Sequence, residues 1–347
     1  MDRQKHKAIL YAFLAAIFYA VNVPVSKLLL SYVDPMMMAA FLYLGAGVGI
    51  GALYLLHRSG VGKSERFTRQ DIPYVVGMIV LDIAAPICLM LGIRYGSSAN
   101  ASLLGNFEIV ATALVALAVF KEAVSKRLWA AIALITLSSI LLSFDGTDSF
   151  RFSHGSLLVL LATCCWGFEN NCTRNLSSKN TYEIVILKGI FSGLGSLIVA
   201  LLNGETLPEI KFIPAAMLLG FVAYGLSIFL YVRAQNTLGA AKTSAYYAVA
   251  PFAGSFLSFI LLKEKLSWIY FAALAIMAAG AALVVADTLI RQHAHRHVHT
   301  FTHTHDGTTH THTVVHSHEH NHYAENGGHG HHHSVKSLEK LPECKEN

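Results

Sequence analysis

Residues 98–120, SANASLLGNFEIVATALVALAVF, decide the fold. The stretch is 23 residues long and carries one formal charge, Glu108, near its centre. A transmembrane helix needs about 20 mostly apolar residues. A carboxylate at the middle of one costs roughly 2.5–3.5 kcal/mol on insertion scales. Such a group belongs against a bundle interior, a water-filled cavity or a partner. At helical spacing Ser98, Ala101, Gly105, Glu108 and Thr112 share one small, polar face, while leucines and valines occupy the others. Residues 240–262 echo this pattern.

Composition agrees with a polytopic membrane chain. Of 347 residues, 54% are hydrophobic and 14% charged, and the mean hydropathy is +0.49. Four of the five cysteines (Cys88, Cys164, Cys165 and Cys172) fall in apolar segments and Cys344 in the tail, so no disulfide framework is implied. The net charge of +5 is spread over loops and gathers on no face, which excludes a nucleic-acid partner.

Outward from the opening stretch, ten apolar segments can be marked: 8–30, 34–56, 72–93, 98–120, 128–144, 155–173, 182–202, 212–232, 240–262 and 268–289. The first is a retained helix, because no small-residue cleavage site follows it. Lys and Arg cluster in the loops on the N-terminal side (Arg58, Lys63, Arg66, Arg69, Lys121, Lys126, Arg127, Arg174, Lys179). Fewer lie opposite (Lys27, Arg94, Arg151, Lys211, Lys263, Lys265). This bias predicts that both termini are cytoplasmic, in a plasma or inner membrane.

The chain also repeats itself. FKEAVSKRLWAAIALI (120–135) aligns with LKEKLSWIYFAALAIM (262–277), and AAIFYAVNVPVSK (15–27) with ATCCWGFENNCTR (162–174). Gly45, Gly49 and Gly51 recur as Gly189, Gly193 and Gly195. Five helices per repeat is an odd number, so the second copy should be inverted. The expected fold is all-α, with ten transmembrane helices as two inverted repeats. The first repeat is 1–146, the second is 147–290, and a tail follows at 291–347. In such plans cargo binds near the midplane between the copies.

Together, Tyr19-Ala20-Val21-Asn22, Trp166-Gly167-Phe168-Glu169, Lys121-Glu122 and Lys263-Glu264-Lys265-Leu266 resemble the drug/metabolite transporter superfamily, EamA type. The resemblance covers residues 8–289. It implies a central cavity lined by helices 1, 3, 4, 6, 8 and 9. Two departures stand out. Ile109 stands beside Glu108 where the family often has proline, and the tail is unusual. By the alignment, the counterpart of Glu108 in the second repeat is Ala250, so the two halves differ in function.

Four charged residues lie inside spans: Asp82, Glu108, Glu169 and Lys188. Glu169 and Lys188 should lie at similar depth and form an ion pair that locks helices 6 and 7. Asp82 and Glu108 then remain as an uncompensated acidic pair, suited to a cationic substrate or to protons. For Asp82 the competing role is a hydrogen bond to backbone loosened at Pro86. Asn22, Asn170 and Asn171 could line the cavity or join helices. Trp166, Tyr246 and Tyr247 could line it or pack. Cys165, Glu169 and Cys172 share a face, as a soft metal site or as core.

The tail holds 16 of the 19 histidines. They are His293, His295, His297, His299, His303, His305, His310, His312, His316, His318, His320, His322, His329, His331, His332 and His333. Its HxH alternation offers many overlapping imidazole ligand sets for Ni, Co, Zn or Cu, without fixed zinc-finger spacing. The alternatives are a pH-responsive polycation and an inert tail. With few aliphatic residues, the tail should be disordered without metal.

The chain shows no nucleophile with a base and no phosphate loop, so it reads as a transporter and not as an enzyme. It requires no cofactor, although the tail could hold Ni, Co or Zn. Its partners are the lipid bilayer and a small-molecule or metal-ion substrate, and a homodimer remains open. The leading expectation is export of a divalent metal cation, Ni or Co, in line with superfamily members implicated in nickel/cobalt resistance. The alternative is export of amino acids or similar metabolites, with the tail accessory.

Overall fold

A computed structural model describes residues 3–57, 67–120, 125–143, 153–176, 179–238, 243, 246–291, 294–305 and 308–319. The chain divides into two units, 1–285 and 286–347.

The regular elements described before the ribbon that begins at Ala294 are all helices. They are α1 (Arg3–Ala20), α2 (Asn22–Leu29), α3 (Pro35–His57), α4 (Ile72–Tyr95), α5 (Ser98–Leu104), α6 (Phe107–Phe120) and α7 (Lys126–Leu142). They continue with α8 (His154–Asn175), α9 (Thr181–Leu187), α10 (Gly193–Leu202), α11 (Phe212–Gly220), α12 (Ser227–Leu238), α13 (Ala250–Leu262) and α14 (Trp268–Arg291). Among the described residues, seven helical stretches are long and apolar enough to cross a membrane: His6–Leu29, Pro35–Leu56, Arg69–Tyr95, Ser98–Val119, Thr181–Leu202, Phe212–Ala234 and Trp268–Asp287. Helices α7, α8 and α13, of 17, 22 and 13 residues, lie in the other three apolar segments.

Several of these stretches are interrupted at mid-length. The first turns at Val21 between α1 and α2, and the fourth at Gly105–Asn106 between α5 and α6. Pro24 and Gly105 account for this locally, since one lacks the donor and the other the side chain that favour an unbroken helix. Two further stretches widen into π-helical turns, at Lys188–Ser192 and Phe221–Leu226. Such turns are common at functional positions.

Packing follows the small residues. A Cβ on Gly45 would overlap the carbonyl of Met217, and one on Gly220 would overlap the carbonyl of Leu42, so α3 and α11 meet backbone to backbone. Small residues at helix contacts are how membrane bundles gain dispersion without a hydrophobic drive. Elsewhere α4 lies along α8, α1 along α12, α6 on α8 and α5 on α13. One large core runs through these contacts and includes Met37, Met38, Leu42, Met90, Leu103, Leu104 and Ile135.

Carboxylates close one end of the bundle. Glu264 accepts from the Ser97 hydroxyl (2.7 Å) and from the backbone N–H groups of Ser98 (2.8 Å) and Ala99 (3.0 Å). Glu205 accepts from the N–H groups of Met36 (3.2 Å) and Met37 (2.7 Å). Each carboxylate covers the N-terminus of a helix in the first half of the chain, where otherwise unpaired donors and the helix dipole favour an anion.

In the second unit, Ala294–His305 pairs antiparallel with Thr308–Glu319. His295 stands opposite His318, His297 opposite His316 and His303 opposite His310. Composition predicts disorder here, and the described residues differ from it. The period-2 alternation of histidine with β-branched Thr and Val suits a strand as well as it suits a metal ligand. His293, His320, His322, His329, His331, His332 and His333 lie outside the described residues, as does Lys121-Glu122.

Candidate functional site

Three of the four intramembrane charges form one cluster. Lys188 opens the π-helical turn between α9 and α10, and its Nζ lies 2.8 Å from Glu169 Oε1 on α8 and 3.2 Å from Asp82 Oδ2 on α4. Asp82 is fully buried at 0% exposure, and Tyr43 on α3 donates its hydroxyl to Oδ1 at 2.9 Å. Thr173 donates to Glu169 one turn away. Four helical stretches are thus tied by one ammonium and two carboxylates. A buried cluster of this kind depends on added donors; Tyr43 supplies one to Asp82 Oδ1 and Thr173 one to Glu169 Oε1, while Asp82 Oδ2 has only the nearby Lys188 ammonium.

This corrects the sequence expectation. The Glu169–Lys188 pair forms as expected, but Asp82 joins it and is no free partner for Glu108. Lys188 is long enough to reach two helices from a widened turn, and helical spacing does not reveal that widening. The suggested bond from Asp82 to backbone near Pro86 is replaced by Tyr43 and Lys188.

Glu108 stands apart. It sits in the first turn of α6, just after the Gly105–Asn106 break, and it is only partly buried. The side-chain amide of Asn170 on α8 donates to its Oε1 at 2.7 Å, and to the Thr112 hydroxyl at 3.2 Å. With Lys188 shared by two carboxylates, the ionised site is net negative. Among the described residues no cation pairs with Glu108.

A group of tyrosines, Tyr19, Tyr224 and Tyr247, comes together from three further stretches. The Tyr19 ring lies 6.0 Å from Tyr224, nearly edge-on at 79°, and 5.9 Å from Tyr247. Tyr224 accepts at its hydroxyl from Asn22 (3.0 Å), and the Tyr247 hydroxyl bonds with Ser227 (3.3 Å). Tyr19, Tyr247, Asn170 and Glu108 each keep part of their surface accessible.

The remaining expected residues are placed as follows. Asn22 is fully buried and joins Tyr224 and Ser26, so it serves the packing of α2. Asn171 donates to the Gly167 carbonyl on its own helix at 2.8 Å. Trp166 is part of the main core. Tyr246 packs against Phe13. Cys165 and Cys172 are free thiols, and among the described residues no group of three or more His, Cys, Asp or Glu could hold a metal ion. Sequence reasoning passed over Tyr43 and Tyr224. Each is a tyrosine within an otherwise aliphatic span, and its hydroxyl there needs a polar partner.

Comparison with known proteins now bears on this geometry. The EamA-like transporter family matches residues 6–144 and 153–286. An uncharacterized transporter of Methanothermobacter thermautotrophicus is 25% identical over 272 residues, covering 73% of this chain and 78% of that protein. The uncharacterized transporter YyaM of Bacillus subtilis is 23% identical over 259 residues, covering 70% and 82%. A solved crystal structure superposes with a TM-score of 0.58 at 16% identity, covering 80% of this chain and 96% of its own. At that identity the likeness speaks for the fold alone.

Proposed function

The chain belongs to the EamA-like transporter family, and from that premise we propose that it is a secondary transporter that exports a cationic solute bound at Glu108. The observation that carries this reading is the isolation of Glu108. Unlike Asp82, Glu169 and Lys188, it has no ion-pair partner among the described residues, and its hydrogen-bond partner is the neutral amide of Asn170. An acid kept at that depth is a functional group by default.

The proposed architecture is ten spans in two inverted repeats with both termini cytoplasmic in the plasma membrane. The packing supports it. The third span (α4) lies along the sixth (α8), and the first (α1) lies along the eighth (α11 and α12). Exchanging the two repeats turns the first contact into the second. Alternating access would then move the halves about Glu108. The direction of transport follows the superfamily resemblance.

A divalent metal, Ni or Co, was the sequence's first candidate for cargo. The oxygen donors around Glu108 give it little support, because those ions favour imidazole and nitrogen-rich sets. The second reading, an exporter of amino acids or similar metabolites, does not meet that objection.

Proteoliposome flux under an imposed proton gradient tests the reading. Glu108→Gln is expected to abolish cation flux without lowering the unfolding temperature. Unchanged flux in that variant would sink the role of Glu108.

A further inference from the structure

The buried cluster of Asp82, Glu169 and Lys188 does not balance its own charge. Two carboxylates share one ammonium, at 3.2 Å and 2.8 Å, so the fully ionised cluster holds one negative charge in excess. All three residues are buried, Asp82 at 0%, Glu169 at 2% and Lys188 at 8% exposure. An unbalanced charge is costly in such a place, and a buried carboxyl group relieves it by binding a proton. A metal ion would need about four or more lone-pair donors. Among the described residues no three His, Cys, Asp or Glu side chains converge as such a set. A proton needs one lone pair.

The hydrogen bonds single out one oxygen. Glu169 Oε1 accepts from Lys188 and from Thr173. Asp82 Oδ1 accepts from Tyr43 at 2.9 Å. Of the buried oxygens of the cluster, Asp82 Oδ2 is the one without a hydrogen bond, and the Lys188 ammonium lies beside it. The other titratable side chains packed here are neutral when protonated. Tyr43 on α3 meets the ring of Tyr224 at 5.1 Å, and Cys172 on α8 lies against Gly77 of α4, its Sγ 3.1 Å from where a Cβ would stand.

The cluster also joins the two matched repeats. Tyr43 and Asp82 belong to the first (6–144), Glu169 and Lys188 to the second (153–286). Lys188 opens a π-helical turn, a feature frequent at functional positions. The residue after Glu169 is Asn170, which donates to Glu108 at 2.7 Å and to Thr112 at 3.2 Å, both on α6 of the first repeat. Consecutive residues of α8 thus bear on both acids of the first repeat, Asn170 directly on Glu108 and Glu169 through Lys188 on Asp82. A shift of α8 against the first repeat changes both contacts at once.

We propose that Asp82 is the site of the coupling proton. In the arrangement seen here Lys188 holds Asp82 ionised. When α8 and Lys188 draw away from α4, the Asp82 carboxylate loses its counter-charge and binds one proton at Oδ2. When the Lys188 contact forms again, that proton leaves to the other side. The inference rests on the reading that cargo binds at Glu108, since cargo and proton are then tied to one movement of α8 and exchange for each other.

Infrared spectra of the full-length protein test the site. The spectrum of Glu108→Gln minus that of Glu108→Gln with Asp82→Asn should contain one protonated-carboxyl band, which vanishes on alkaline titration. The neutral triple variant, Asp82→Asn with Glu169→Gln and Lys188→Met, should lack the same band, so the result does not hang on the stability of one variant. The movement is read with Ser102→Cys in a background without the native cysteines, labelled by a membrane-impermeant maleimide. Rates are divided by those of the denatured protein, which removes the pH dependence of the thiol itself. With Asp82 present, labelling should change several-fold between acid and alkaline pH. With Asp82→Asn it should stay at the acid-side rate throughout.

A carboxyl band or a pH response of labelling that survives Asp82→Asn overturns the proposal. If Glu108→Gln alone removes the pH response, the proton sits at Glu108, so the proposal falls and the Glu108 reading stands. If the Asp82 results hold while Glu108→Gln leaves flux unchanged, the Glu108 reading falls and the proton site at Asp82 stands without it.

Discussion

At the scale of single residues, one ammonium holds two carboxylates. Lys188 bridges Asp82 and Glu169 where water cannot screen or replace it. Removing one member of a buried ion cluster leaves charge without compensation, at about 3–5 kcal/mol. Lys188→Met should therefore lower the unfolding temperature in detergent sharply and reduce the yield of folded protein. The neutral triple variant, Asp82→Asn with Glu169→Gln and Lys188→Met, should recover most of that loss, because no buried charge remains. If the single variant unfolds at the wild-type temperature, the cluster does not hold the helices. Glu108 differs in kind. Its one close partner is an amide, so its removal should be nearly silent for folding. Stability and flux should thus separate between Lys188 and Glu108, two residues that the sequence presents alike as charges inside apolar spans.

At the scale of elements, two carboxylates close one end of the bundle by covering helix N-termini across the halves. Glu264 reaches Ser97, Ser98 and Ala99, and Glu205 reaches Met36 and Met37. An anion at a helix N-terminus contributes about 1 kcal/mol, a size that a transport cycle can break and remake. Glu264→Gln and Glu205→Gln should speed labelling of a cysteine placed at Ser102 by a membrane-impermeant maleimide, in a background without the native cysteines. Asp34→Asn, which loses only the pair with Arg94 inside the first half (3.1 Å), should not. Unaltered labelling in all three would show that these caps do not gate that end. Much of this level was legible in the sequence. Length and hydropathy marked the apolar segments, and Gly45 and Gly49, read there only as marks of the repeat, lie at α3 contacts. The break at Gly105–Asn106 and the turn at Lys188 were not legible. Both depend on what a neighbouring helix offers to freed backbone groups, and no local pattern records that. For the same reason Glu108 was found from its charge alone, and of Tyr19, Tyr224 and Tyr247, which come from distant spans, only Tyr247 was expected at the cavity.

At the scale of the whole molecule, the chain has two units with different chemistry. Residues 1–285 form a helical bundle with a carboxylate and tyrosines at its middle, and the following unit carries a histidine-rich ribbon. The register of that ribbon pairs His295 with His318, His297 with His316 and His303 with His310. Alternation along a strand places residues two apart on one face. The first two of these pairs therefore put four histidine positions on one face, and imidazole is a ligand that Ni, Co, Zn or Cu favour. An isolated two-stranded ribbon is marginal in water, so a metal that bridges such pairs would stabilise the ribbon as it binds. On the proposed reading, metal binding and cargo binding would belong to different units and need not depend on each other. Calorimetry on the full chain is expected to show Ni2+ binding, and a variant ending at Arg291 should lose it yet carry cargo at the wild-type rate. Cargo flux that falls with the ribbon, or Ni2+ binding that survives its removal, would contradict this division. The first result would mean that the ribbon feeds the bundle. The second would mean that the bundle holds metal ligands of its own, and then the Glu108 site would have to be reread as a metal path.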